Sequence, residues 1–174
     1  MSEFLSCDSI KLHMAYVNNL RLKLSILEKS VGVKLDGFES TRNMRLEPDV
    51  REEVTNLLWL IKSHEIFFAS FTSECPKIDL TNTPFGSREG LLYELLRLGL
   101  SRCDGFIFLS VDRCGRILIY LTEKLDKSYI ANPPRLCIDL SEHAYFLDYR
   151  FEKEKFLKNA LNKLDLRRLK SELT

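Results

Sequence analysis

The spacing of apolar residues changes near residue 100 of this chain, and that change limits what it can fold into. Up to about residue 100 the apolar positions recur at three- and four-residue steps. Just beyond, Gly105-Phe106-Ile107-Phe108-Leu109-Ser110-Val111 is β-branched and aromatic. The turn residues Asp112-Arg113-Cys114-Gly115 follow, and then Arg116-Ile117-Leu118-Ile119-Tyr120-Leu121. Two such runs about a short turn predict a β-hairpin, with Gly115 placed to take positive φ. After Asn132-Pro133-Pro134 a third strand is predicted over Arg135 to Ile138, with Asp139 at its end.

The segments before the hairpin read as helices. From Ser9 to Ser30, residues Ile10, His13, Met14, Val17, Leu20, Leu24 and Leu27 form one stripe, and Asp8 or Ser9 could cap it. Residues 31–48 read as a link. A second helix is predicted from about Asp49 to Phe71, because Pro48 precedes an acidic first turn of Asp49, Glu52 and Glu53. Its broad apolar face includes Val54, Leu57, Ile61, His64, Phe67 and Phe71. Together these two suggest an antiparallel helical hairpin that needs a further partner to cover its faces. A linker over 72–84 separates it from a third helix opened by Ser87-Arg88-Glu89. Helical segments are also predicted from Ser141 to Tyr149 and from Glu152 to Leu169. The expected class is α+β. Residues 1–76 would form an N-terminal helical hairpin domain, and 84–174 an α/β domain with a three-stranded antiparallel sheet.

Charge narrows the function classes. Lys and Arg number 26 against 25 Asp and Glu, a net charge of +1. No strong field draws such a chain to nucleic acid or an anionic membrane. The five cysteines are odd in number and never spaced C-x-x-C, so reduced and mostly buried thiols are expected. No apolar run approaches the ~20 residues that span a bilayer. The N-terminus lacks the basic-then-apolar order of a signal peptide. The expected compartment is reducing and intracellular, the cytoplasm first and the mitochondrion as the alternative.

Candidate chemistry concentrates at Asp139-Leu140-Ser141-Glu142-His143, where a carboxylate and an imidazole stand four residues apart beside Tyr145 and Tyr149. The chain has two other histidines, His13 and His64. Four segments, in order along nearly the whole chain, resemble the iron/manganese superoxide dismutases. They are His13-Met-Ala-Tyr16-Val-Asn-Asn-Leu20, Ser63-His64-Glu-Ile-Phe-Phe68, Phe85-Gly-Ser87 with Gly105-Phe-Ile-Phe108, and Asp139-Leu-Ser-Glu-His143-Ala-Tyr-Phe-Leu-Asp-Tyr149. The last is similar to the family's Asp-x-Trp-Glu-His-Ala-Tyr-Tyr-Leu-x-Tyr.

The resemblance implies one Fe or Mn ion per subunit and the conversion of superoxide to dioxygen and hydrogen peroxide. It places the second, third and fourth ligands on His64, Asp139 and His143. The first should lie eight residues before Tyr16, which is Asp8, giving a ligand set of two imidazoles and two carboxylates. His13 is an alternative first ligand if the first helix has slid, although its spacing to Tyr16 matches a position that is not a ligand in the family. The resemblance gives Tyr16 a catalytic role in gating and proton delivery. It gives Glu142 a bridge to the partner's ligand histidine across a homodimer. The chain departs from the pattern elsewhere. The family's outer-sphere glutamine is absent both at Leu60 and over Thr122 to Leu125, its tryptophan is Ser141, a histidine is Leu12 and a tyrosine is Phe146. These departures imply an alternative: a homologue with little or no activity that serves as a structural or interaction subunit.

Overall fold

A computed structural model describes residues 4–35, 37–74 and 78–172. Helix α1 (Cys7–Val31) begins at neither expected cap. Ser6 is the N-cap, its hydroxyl accepting the Ser9 N–H at 3.1 Å, and Gly32 ends the helix with φ 69°. The buried positions Ser9, His13, Val17 and Leu20 keep the predicted stripe, while Met14 faces solvent. Helix α3 (Pro48–Ala69) starts with proline in its first turn, as the sequence implies. The two helices run antiparallel: His13 packs on Phe67 and Phe68, whereas Leu20 clusters with Leu57 and Ile61. Between them the link contains a short helix, α2 (Phe38–Asn43), that apolar spacing did not reveal.

Helix α4 (Arg88–Leu100), capped by Ser87, leads into the sheet. Strands β1 (Phe106–Val111), β2 (Ile117–Thr122) and β3 (Leu136–Asp139) lie in the order β2-β1-β3, with both pairings antiparallel. The hairpin closes as predicted, Gly115 taking φ 77° and donating its N–H to the Asp112 carbonyl. Every residue of β1 is buried, because helices meet both faces: Trp59 and His64 of α3 pack on Phe106, and Ile107, pointing the other way, lies against α4 at Gly99. Its continuous apolar run is the sequence mark of a strand enclosed on both faces. A five-residue helix, α5 (Lys127–Ala131), capped by Asp126, lies between β2 and β3. After β3 come α6 (Glu142–Tyr149), α7 (Lys153–Asn162) and a 3-10 segment (Leu166–Glu172).

A single large apolar core draws on both halves of the chain, joining Phe4, Trp59 and Phe67 to the strands and to Phe156, Leu157 and Leu161. Polar links reinforce it. The Ser70 hydroxyl accepts the Cys137 N–H at 2.8 Å, and Thr72 donates its N–H to the Lys163 carbonyl. At the start of α1, Ser6 N–H donates to Asp148 at 2.7 Å, and the Tyr149 hydroxyl donates to the Phe4 carbonyl. The cysteine expectation is corrected here. Cys7, Cys103 and Cys114 are exposed and only Cys137 is buried, while Cys75 and part of the 72–84 linker lie outside the described residues. Among the described residues no helix is long and apolar enough to cross a membrane.

Candidate metal centre

Four elements deliver four donor side chains to one point. His13 comes from α1 and His64 from α3. Asp139 is the last residue of β3, and His143 lies in the first turn of α6. The strand-to-helix junction explains how a spacing of four brings Asp139 and His143 together: Leu140 N–H is held by the Gly105 carbonyl, and α6 starts at once. Asp139 Oδ2 lies 3.2 Å from His13 Nε2, 3.3 Å from His64 Nε2 and 3.1 Å from His143 Nε2. Three of the four side chains are fully buried, and His143 is 27% exposed.

The donor set and its spacing suit a metal ion. One donor atom from each residue lies within 4.8 Å of every other. Ligand atoms about 2.1 Å from a common ion lie about 3.0–3.6 Å apart at angles of 90–120°, and the distances from Asp139 Oδ2 to the three imidazoles and from His64 to His143 fall in that range. Asp139 Oδ1 accepts the Ser141 N–H at 2.9 Å, leaving Oδ2 to the cluster. The His64 Nδ1–H donates to the Leu60 carbonyl at 2.6 Å, so a neutral His64 presents its Nε2 lone pair. That nitrogen sits 3.2 Å from His143 Nε2, an approach that calls for a shared proton or a cation between them. Asp139 Oδ2 and His13 Nε2 are buried and lack hydrogen-bond geometry with any described residue. Buried polar atoms are rarely left so, unless something else binds them.

The electrostatics follow the same geometry. Burial works against charge on Asp139, but the three imidazoles outweigh it and hold the carboxyl well below the usual carboxylate range. Burial dominates at His13 and pushes its imidazole below the ordinary value, against the pull of Asp139. At the less buried His143 desolvation is outweighed by Asp139, and the net shift is upward. Burial raises the Tyr16 phenol, and the charges of Asp139 and Asp104 add to the effect.

Sequence reasoning named His64, Asp139 and His143, and the structure brings these together. It does not bring Asp8, whose side chain is 77% exposed and pairs with Lys11 at 3.2 Å on the outer side of α1. His13 stands in that place instead. The interval of eight residues to Tyr16 is replaced by an interval of three. At about 100° per residue, eight residues overshoot two turns by about 80° and three fall about 60° short of one, so either spacing keeps both side chains near one face. Tyr16 lies beside the cluster, its ring centroid 4.3 Å from that of His143 and 5.3 Å from that of His64. Glu142 is exposed at the start of α6, Leu12 faces solvent, and Phe146 packs on Phe151.

A cavity of about 150 Å³ opens over His64 and His143 between Tyr16, Leu60, Phe106 and Ser141. Two of its walls escaped sequence reasoning: Asp104, just before β1, and Glu123, just after β2. The Asp104-Gly105 pair was the available signal, since Gly105 takes φ 92° and a Cβ there would meet the Thr122 carbonyl at 2.8 Å.

Comparison with known proteins agrees with the fold. The family model for the C-terminal domain of iron/manganese superoxide dismutases matches residues 77–172. A protein named superoxide dismutase [Mn] 1, from Leptolyngbya boryana, is 26% identical over 166 residues, covering 87% of this chain and 65% of that protein. A mitochondrial superoxide dismutase [Mn] from Capsicum annuum is 32% identical over 111 residues, covering 56% of this chain and 49% of that protein. Less than two thirds of either relative's own length is therefore matched. A family model that spans more than half the chain, on a helical N-terminal region followed by a three-stranded antiparallel sheet, assigns this chain to the iron/manganese superoxide dismutase family.

Proposed function

We propose that His13, His64, Asp139 and His143 hold one iron or manganese ion, and that the protein acts on superoxide. The convergence of three imidazole nitrogens and one carboxylate oxygen in a buried site carries this reading. Bound there, the metal would supply one-electron exchange with superoxide, giving dioxygen in one half-reaction and hydrogen peroxide in the other. The chain's own residues would do the rest. The Leu60 carbonyl fixes the His64 tautomer, and the Ser141 N–H orients the Asp139 carboxylate. Tyr16, against His143 at the cavity, would stand in the path of proton delivery. His143 Nδ1 has no hydrogen-bond partner among the described residues, which leaves it open to Glu142 of a second copy in a homodimer. A reducing compartment, cytoplasmic or mitochondrial, suits the exposed thiols of Cys7, Cys103 and Cys114.

The acidic cavity favours a second reading, a homologue that binds metal but dismutates poorly and serves a structural or interaction role. Elemental analysis of the purified protein beside a superoxide assay separates the two. Stoichiometric iron or manganese with fast dismutation supports the enzyme; metal without turnover supports the second reading. No uptake of iron or manganese under reconstitution would overturn both.

A further inference from the structure

The cavity over His64 and His143 carries two carboxylates and no Lys or Arg among its lining residues. Asp104 is fixed there. Its Oδ1 accepts the Gly105 N–H at 2.8 Å and also a short hydrogen bond from the Ser141 hydroxyl. Ser141 is two residues from each of Asp139 and His143, so this contact ties Asp104 to the segment that carries both donors. Asp104 acts electrostatically on both His143 and Tyr16. Glu123 differs: it packs on Gly105 and faces Arg102 at 3.8 Å, so part of its charge is already answered. Outside lies a second hollow that shares Asp104 and Glu123 with the cavity and adds Arg102 and Lys124. Lys and Arg thus stand at the outer hollow, and Lys153 lies within electrostatic reach of Asp104, while the inner cavity's own lining adds two carboxylates and no Lys or Arg.

We infer that Asp104 is a specificity-determining residue that disfavours small anions at the open side of the metal and leaves neutral ligands unaffected. The inference rests on the metal site proposed above and not on fast turnover there, since superoxide is itself a small anion and would meet the same repulsion. A carboxylate fixed in the wall of the cavity that an incoming anion must enter opposes its binding by Coulomb repulsion, which the several waters a cavity of this size holds weaken without abolishing. A neutral diatomic molecule feels no such force. Asp104→Asn removes the charge while keeping an oxygen to accept the Gly105 and Ser141 hydrogen bonds.

The test uses iron-loaded protein, with metal content measured first. Azide is titrated by visible absorption on the oxidised form and nitric oxide on the reduced form, for the unsubstituted protein, D104N and Glu123→Gln. Azide affinity is expected to rise about tenfold in D104N, the shift that one pK unit of differential interaction represents. It should rise less in E123Q, and nitric oxide affinity should stay within about twofold. Azide affinity unchanged in D104N, or azide and nitric oxide rising together, would overturn the inference and leave the metal site standing. A chain that takes up no metal would overturn both.

Discussion

The floor and the mouth of the candidate metal centre are built by different rules. The floor is four side chains from four elements, three of them fully buried, packed against Phe67, Phe68 and Phe106. The mouth is made from loop ends, where Asp104 and Glu123 flank the hairpin and Ser141 precedes α6. Core packing dictates the floor, whereas the mouth is set by where three loops end, and it is here that the chain carries its acidic groups. The groups that would hold a metal and the groups that would screen what approaches it are thus positioned independently.

The sharpest way to break the contrast is to remove the floor's anion. Asp139→Ala is expected to lower metal occupancy at least about tenfold, more than the loss of any orienting hydrogen bond, as read by elemental analysis after reconstitution. Retained metal would show that the floor is not a ligand set. The packing behind it comes next. Phe67, fully buried against His13, Phe68 and Phe71, should cost about 3–5 kcal/mol in chemical denaturation when changed to alanine. A smaller effect comes from acid. In the metal-free protein Asp139 holds His143 above the ordinary histidine range, and metal binding needs its neutral imidazole. Protons therefore compete more strongly at higher pH than at an ordinary histidine, and metal affinity should fall as pH drops through that raised value. A titration of affinity against pH that is flat across and below neutrality would contradict it.

The start of α1 sharpens the comparison at its small end. Ser6→Ala removes the N-cap and should cost about 1 kcal/mol in a urea melt. Asp8→Ala should change stability by less than about 0.5 kcal/mol and leave metal content untouched, because its exposed pair with Lys11 is worth little. Loss of metal in that variant would restore Asp8 to the ligand set and displace His13.

The sequence carried the floor better than the mouth for the same physical reason. Periodic apolar spacing marks α1, α3 and α4, and a turn glycine marks the hairpin, so the elements holding His64, Asp139 and His143 were legible. The register of α1 was not. A helix slid along its axis keeps the same buried stripe, and only three-dimensional placement chooses between Asp8 and His13. Helices α2 and α5, of six and five residues, are too short to show a period. Asp104 and Glu123 reach the cavity through loop geometry, notably the positive φ at Gly105, which no spacing rule encodes.

The clamps at the start of α1 tie it to the far end of the chain: Ser6 meets Asp148 across 142 residues, and Tyr149 meets Phe4 across 145. In the order of synthesis, this divides the donor set in two. A growing chain offers His13 and His64 early, while Asp139 and His143 emerge only near its end. An early imidazole pair without its carboxylate would favour copper or zinc over iron or manganese, following the general order of divalent affinities. A site that needs all four donors would be complete only once α6 has folded back onto α1.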